Sequence, residues 1–99
     1  MAYNIILAEE AVEDLRGLQA PDRAKVKDAM ERYLRHEPTK VSRSRIKRLR
    51  GMSRPQYRLR VDDIRVFYDV NEQEMAVEVL AIIRKENANE WLEKEGEKE

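Results

Sequence analysis

The alternation of apolar and polar positions divides the chain into a helical first third and a sheet-forming remainder. Tyr3 to Leu7 is a short β-rich run that reads as an opening strand. Ala8, Ala11, Val12, Leu15 and Leu18 then recur at helical spacing, and Glu9, Glu10, Glu13 and Asp14 put acid near the start of that helix, where the macrodipole favours it. Pro21, or the residue before it, opens a second helix in which Val26, Ala29, Met30, Tyr33 and Leu34 share one face. So short a connection makes the pair an antiparallel hairpin, ended by His36, Glu37 and Pro38. Residues 39 to 45 are polar and basic and read as a loop. Ile46 to Leu49 is a short strand candidate, followed by a turn region over residues 50 to 55. From Tyr57 the alternation is strict: Tyr57, Leu59 and Val61 against Arg58 and Arg60, then Ile64, Val66, Tyr68 and Val70 against Arg65, Phe67 and Asp69. A last strand runs from about Met75 to Ile83, and residues 86 to 95 are weakly helical. The expected fold is α+β: an N-terminal strand, a helical hairpin packed on one face of a mainly antiparallel twisted sheet, and a short C-terminal helix. Residues 1–95 form one domain in this reading, and 96–99 a disordered acidic tail.

A two-residue turn at Asp62 and Asp63 would fix the register of the central hairpin. Val61 then faces Ile64, Arg60 faces Arg65, Leu59 faces Val66 and Arg58 faces Phe67. Arg58, Arg60, Arg65 and Phe67 project from one sheet face, whereas Tyr57, Leu59, Val61, Ile64, Val66 and Tyr68 project into the core. Pairing Val70 with Met75 across the next turn sets Leu80 beside Arg65 and brings Arg84 to the arginine face as a fourth cation.

Charge sharpens this picture. The formal net charge is zero, but residues 40 to 65 carry ten Lys and Arg against two Asp, while the segments before and after carry excess acid. Such a block is most often a solvated surface. Here, however, Arg60 stands directly opposite Arg65, a pairing that opposes folding unless an anion bridges the two guanidiniums. Guanidinium forks bind phosphate bidentately and cannot lose their charge, so the block suggests phosphate recognition. Phe67, on the same face, is either a stacking surface for an unpaired base or a residue packed beneath the C-terminal segment. Lacking cysteine and having one histidine, the chain excludes disulfides, thiolate nucleophiles and Cys- or His-rich metal sites. No stretch approaches the roughly 18 apolar residues of a spanning helix, and no leader pattern opens the chain, so no membrane role and a cytoplasmic location are the default expectations.

Lys47-Arg48-Leu49-Arg50-Gly51-Met52, Tyr57-Arg58-Leu59-Arg60-Val61, Ile64-Arg65-Val66-Phe67-Tyr68-Asp69-Val70 and Val79-Leu80-Ala81-Ile82-Ile83-Arg84-Lys85 together resemble the RelE/ParE toxin superfamily. The resemblance implies a toxin restrained by a cognate antitoxin and, in RelE-like members, a ribosome-dependent endoribonuclease that needs no metal or cofactor. Such an enzyme cuts mRNA by attack of the 2′-hydroxyl on the adjacent phosphate. On that basis the catalytic candidates are Arg58, Arg60, Arg65 and Arg84, with Arg65 foremost. The RNA-binding candidates are Lys47, Arg48, Arg50, Phe67, Lys85 and Trp91, and the partners are the antitoxin, the ribosome, mRNA and ribosomal RNA. Two departures stand out. Arginine occupies strand positions where some members carry lysine, so charge stabilisation rather than proton transfer is expected there. Trp91 stands where the family often has a tyrosine, so Trp91 is either a stacking platform or a plug for the last segment, and the general acid and base have no assignment. His36, at a helix end, reads as a dipole partner rather than a base. ParE-like relatives imply the alternatives, a non-enzymatic inhibitor of DNA gyrase or a degenerate toxin that only binds its antitoxin.

Overall fold

The computed structural model describes residues 2–99. The elements run β1 (Asn4–Leu7), α1 (Glu9–Arg16), α2 (Ala20–Ala29), β2 (Ile46–Arg48), β3 (Met52–Arg54), β4 (Tyr57–Val61), β5 (Ile64–Asn71), β6 (Ala76–Arg84), α3 (Lys85–Glu95) and β7 (Glu97–Lys98). α2 continues as one wider, π-type turn over Met30–Leu34. Pro21 lies in its first turn, where the missing N–H has no intrahelical partner to lose.

Five strands form the main sheet in the order β1-β6-β5-β4-β2, antiparallel except for the β1–β6 pair. The hairpin of α1 and α2 covers one face. Val26, Met30 and Leu34 of the second helix and Ala11 and Leu15 of the first pack on Leu59, Val61, Ile64, Val66, Tyr68, Val77, Val79 and Ile82. Tyr57 and Tyr68 stack at 5.5 Å on this face, and the Tyr68 hydroxyl donates to the Pro38 carbonyl at 2.6 Å, closing the loop after the hairpin over the core. Burial holds the Tyr68 phenol well above its ordinary range.

β1 is short, so the upper half of β6 would be an open edge. α1 closes it: the Asp14 carboxylate accepts the Ile82 N–H at 2.9 Å, and Ala8 N–H bonds to the Val79 carbonyl at 2.9 Å. On the other sheet face α3 lies against β5 and β6. The last residues, expected as a disordered tail, instead turn back at Gly96 and pair with β3, and Glu99 N–H reaches the Gly51 carbonyl at 3.0 Å. A side chain at residue 96 would strike the Met52 side chain and the Leu92 carbonyl, so glycine is what permits this close approach. Among the described residues no helix is long and apolar enough to cross a membrane.

Candidate functional site

The site is built on the β4–β5 hairpin. Asp62 takes the left-handed conformation (φ 53°), which an aspartate tolerates, and the two-residue turn closes with Val61 opposite Ile64. The predicted register follows: Arg60 pairs with Arg65, Leu59 with Val66 and Arg58 with Phe67. On the neighbouring edge strand Lys47 pairs with Arg58, so Lys47, Arg58, Arg60, Arg65 and Phe67 occupy the face away from the helical hairpin.

The three arginines differ in freedom. Arg60 is exposed. Arg65 is only 7% exposed and is held by its own turn, with Nη1 donating to the carbonyls of Asp62 at 2.8 Å and Ile64 at 3.1 Å. Arg58 is half-buried, and its Nε is enclosed without a hydrogen-bond partner. Burial first, then the positive charges of Arg65 and Arg60, hold the Arg58 guanidinium below the usual arginine range. Burial first, then Arg60, does the same to Arg65, with Asp63 partly compensating. Among the described residues no carboxylate forms an ion pair with any of the three. Each like-charge pair across a strand opposes folding by a few tenths to about 1 kcal/mol. The protein thus keeps a concentrated positive field that no ion pair among the described residues neutralises.

Arg84 departs from expectation. β5 and β6 pair Val70 with Val77 rather than with Met75, because the connection is longer than a tight turn and Met75 adopts φ 50°. The register also shifts between Phe67 and Tyr68, which leaves Leu80 as an extra residue in β6. That one residue reverses the parity of the strand end, so Arg65 faces Ile83 and Arg84 faces Ile64. Arg84 therefore turns to the helical side, where its guanidinium bonds Asp22 at 2.8 Å and Asp63 at 3.2 Å. The Asp22 hydrogen bond, ahead of the other influences, holds Arg84 above its ordinary range. Lys85, next along the chain, is exposed and free of ion pairs among the described residues, and its N–H binds the Asp63 carbonyl at 2.7 Å, which anchors it beside the hairpin turn.

Phe67 is 1% exposed and lies under Trp91, the rings stacked at 5.1 Å and 8°. Of the two readings open for each residue, the packed one is realised. Small Ala81 opposite Phe67 leaves room for the indole, whose Nε1 donates to Glu10 at 3.3 Å. Phe67 presents no free face for a base, and the stack takes up one face of the partly exposed Trp91. Arg48 is likewise occupied: it lies over the Tyr57 ring and donates to the carbonyls of Leu49 at 2.7 Å and Gln56 at 2.9 Å. It pins the β2–β4 connection. Arg50 is exposed in the turn before Gly51, whose φ of 74° suits glycine. His36 is exposed beyond the end of the second helix and takes no part in the arginine group. Among the described residues no set of three or more His, Asp or Glu side chains is placed to hold a metal ion.

The sequence places Arg45 in the basic loop over residues 39 to 45. Arg60 N–H binds the Arg45 carbonyl at 2.8 Å, extending the β2–β4 ladder by one pair beyond the strand. The parity of Lys47 opposite Arg58 already implies this neighbour once the loop is read one residue shorter.

A family model described as the ParE toxin of the type II toxin–antitoxin system parDE matches residues 5–88. No curated protein sequence matches the chain. Among solved structures, the RelBE2 toxin–antitoxin complex of Mycobacterium tuberculosis aligns at TM-score 0.70 and 23% identity, covering 85% of this chain and 99% of that one. A double arginine-to-alanine mutant of Escherichia coli toxin RelE in the free state aligns at 0.67 and 26%, covering 90% of each. The RelE–RelB complex of Pyrococcus horikoshii aligns at 0.65 and 24%, covering 86% and 97%. With the family model spanning both helices of the hairpin, the arginine strands and the start of α3, the chain belongs to the RelE/ParE family of type II toxin–antitoxin toxins.

Proposed function

We propose that this toxin is a ribosome-dependent endoribonuclease that grips the scissile phosphate of mRNA between Arg58, Arg60 and Arg65. The observation that carries this reading is a group of three guanidiniums without carboxylate partners, one of them with an enclosed, unpartnered Nε. In the reaction the message's own 2′-oxygen bonds to phosphorus and the P–O5′ bond breaks. The products are a 2′,3′-cyclic phosphate and a 5′-hydroxyl, so the proton lost from the 2′-hydroxyl is matched by one gained at O5′. Arginines do not release protons at any ordinary pH, so their part is to orient the phosphate and neutralise the charge that builds on its oxygens. Arginines so placed on a transferring phosphoryl group are worth about 10³ to 10⁵ in rate. Lys47 and Lys85 flank the group at its two ends and guide the backbone. Trp91 and Phe67 support the strand that carries Arg65 rather than stacking on bases.

The cognate antitoxin, as with the RelB partners of the aligned toxins, would cover the arginine face with an acidic or amphipathic segment. Action on ribosomes places the protein in the cytoplasm. A second reading, non-enzymatic inhibition of DNA gyrase, is favoured by one observation: among the described residues no histidine or free tyrosine hydroxyl stands beside the arginines to move a proton.

The test is primer extension on mRNA after induction of wild type, Arg65→Ala and Arg60→Ala, with gyrase supercoiling assayed in parallel. Arg60 is exposed, so its variant folds even if Arg65→Ala does not. New message ends that disappear in both variants are expected. Blocked supercoiling with intact messages would replace this reading by the second, and neither effect would leave an antitoxin-binding protein without a toxic activity.

A further inference from the structure

Arg65 takes its position from the hairpin turn, because its Nη1 donates to the Asp62 carbonyl at 2.8 Å and to the Ile64 carbonyl at 3.1 Å. Any displacement of the turn is therefore passed to the guanidinium. The turn's own chemistry holds it loosely: Asp-Asp is a poorer two-residue turn than Asn-Gly or Asp-Gly, and Asp62 sits at φ 53°. Support comes instead from the first turn of α2. Asp22 lies there, where the helix dipole favours a carboxylate, and accepts from Arg84 Nη2 at 2.8 Å. The same guanidinium reaches the Asp63 carboxylate through Nη1, at 3.2 and 3.3 Å to its two oxygens. Lys25, one helical turn on, pairs with the Asp62 carboxylate at 3.2 Å. Both residues of the turn are thus linked to α2, Asp62 directly and Asp63 through Arg84. The Arg84–Asp22 pair is the more shielded of the two links, with side chains 35% and 31% exposed against 61% and 66% for Lys25 and Asp62, so it is the one that can hold a geometry.

The extra residue at Leu80 makes this link possible. Plain alternation along β6 would leave Arg84 on the arginine face, whereas the register shift delivers it to the helical side, between two carboxylates. Bulges beside active sites commonly re-aim a side chain in this way. We propose that Asp22 is a positioning residue: through Arg84 and Asp63 it fixes the hairpin turn, and through the turn it sets the angle at which Arg65 presents its guanidinium to the phosphate. Asp22 acts through these groups and not by contact with RNA. Its consequence for the reaction rests on the cleavage reading, while the hold on Arg65 is a property of the free protein. A carboxylate of this kind should affect the chemical step, where the angle of one guanidinium matters, and not the docking of toxin on ribosome and message, which many contacts share.

Two measurements on wild type, Asp22→Ala, Arg84→Gln and the double variant test this, with circular dichroism confirming each fold. Nitrogen-15 relaxation of the Arg65 and Arg60 Nε–H groups in the free toxin reports how firmly each side chain is held. Single-turnover cleavage of mRNA on 70S ribosomes, with toxin in excess, separates the maximal rate from the toxin concentration that gives half of it. In Asp22→Ala the order parameter of Arg65 should fall toward that of Arg60, which should not change. The maximal rate should drop about 10- to 100-fold, the effect of misplacing a group at the reacting centre by up to roughly 1 Å, with the half-maximal concentration unchanged. Asp22→Ala added to Arg84→Gln should cause no further loss, since both remove one link. An Arg65 as rigid in Asp22→Ala as in wild type would overturn the proposal whatever the ribosome assay gives. So would losses that multiply in the double variant, or a raised half-maximal concentration at an unchanged maximal rate. A wild type that leaves messages intact would overturn the cleavage reading and with it the effect on the phosphate, and the relaxation result would still decide the hold on Arg65.

Discussion

Replacing Arg58 by methionine should make this protein more stable and less active. The guanidinium contributes two unfavourable effects to the folded state. Its enclosed Nε has given up water without gaining a partner, a loss of about 1–3 kcal/mol for a buried donor. It also stands directly opposite Lys47, a like-charge pair that opposes folding by a few tenths to about 1 kcal/mol, and shares its sheet face with the charges of Arg65 and Arg60. Methionine keeps the unbranched stem and its packing, so the net gain should be about 1–2 kcal/mol, allowing for lost contacts of the guanidinium plane. For a domain of this size that corresponds to a rise in Tm of about 5–10 °C. Thermal denaturation followed by circular dichroism, at 20 mM and 500 mM sodium chloride, measures it. Wild type should gain stability with salt, because the Debye length shrinks from roughly 20 Å to about 4 Å and the repulsion is screened. Arg58→Met should respond less. A variant that folds but melts at or below the wild-type temperature would refute the claim that the arginine face is strained by its own charge. So would a wild type indifferent to salt.

Two further outcomes can be measured independently. Burial, ahead of its other influences, holds the Asp14 carboxyl above the ordinary value of 3.8, so the folded protein binds this proton more tightly than the unfolded chain does. Stability linked to Asp14 is therefore greatest below 3.8 and declines as pH rises from there through the raised folded value; Asp14→Asn should flatten that decline in urea titrations between pH 3.5 and 6, and an unchanged pH profile would contradict the assignment. Gly96→Ala would set a methyl group 2.5 Å from the Leu92 carbonyl and against Met52, so β7 should leave β3 while the main sheet persists. Hydrogen exchange at Glu99 should lose its protection with Tm lowered by less than about 3 °C, and a protected Glu99 would show that the turn tolerates a side chain.

The central hairpin could be read from the sequence because two independent signals agree there. Strict alternation sets the faces of β4 and β5, and the Asp62–Asp63 turn leaves one register compatible with it. β6 offers no such signal. From Val77 to Ile83 apolar residues stand at both parities, since the helical hairpin buries one face and α3 the other, and a strand buried on both sides does not announce which residues share a face. The extra residue at Leu80 was invisible for that reason, and Arg84 was assigned to the wrong side. Phe67 and Trp91 were undecidable by parity alone, because their fate depends on where α3 lies. The final acidic residues have the composition of a solvated segment. Only the close approach at Gly96, a tertiary fact, lets two of them pair with β3.

Arg65 is immobilised before anything arrives at it. With Nη1 already committed to two carbonyls of its own turn, the side chain gives up most of its roughly 2 kcal/mol of rotamer entropy during folding. An anion docking on it would thus meet a rigid donor edge instead of a searching one. Recognition at that residue should show little unfavourable configurational entropy in calorimetry, in contrast to the free side chain of Arg60 facing it across the ladder.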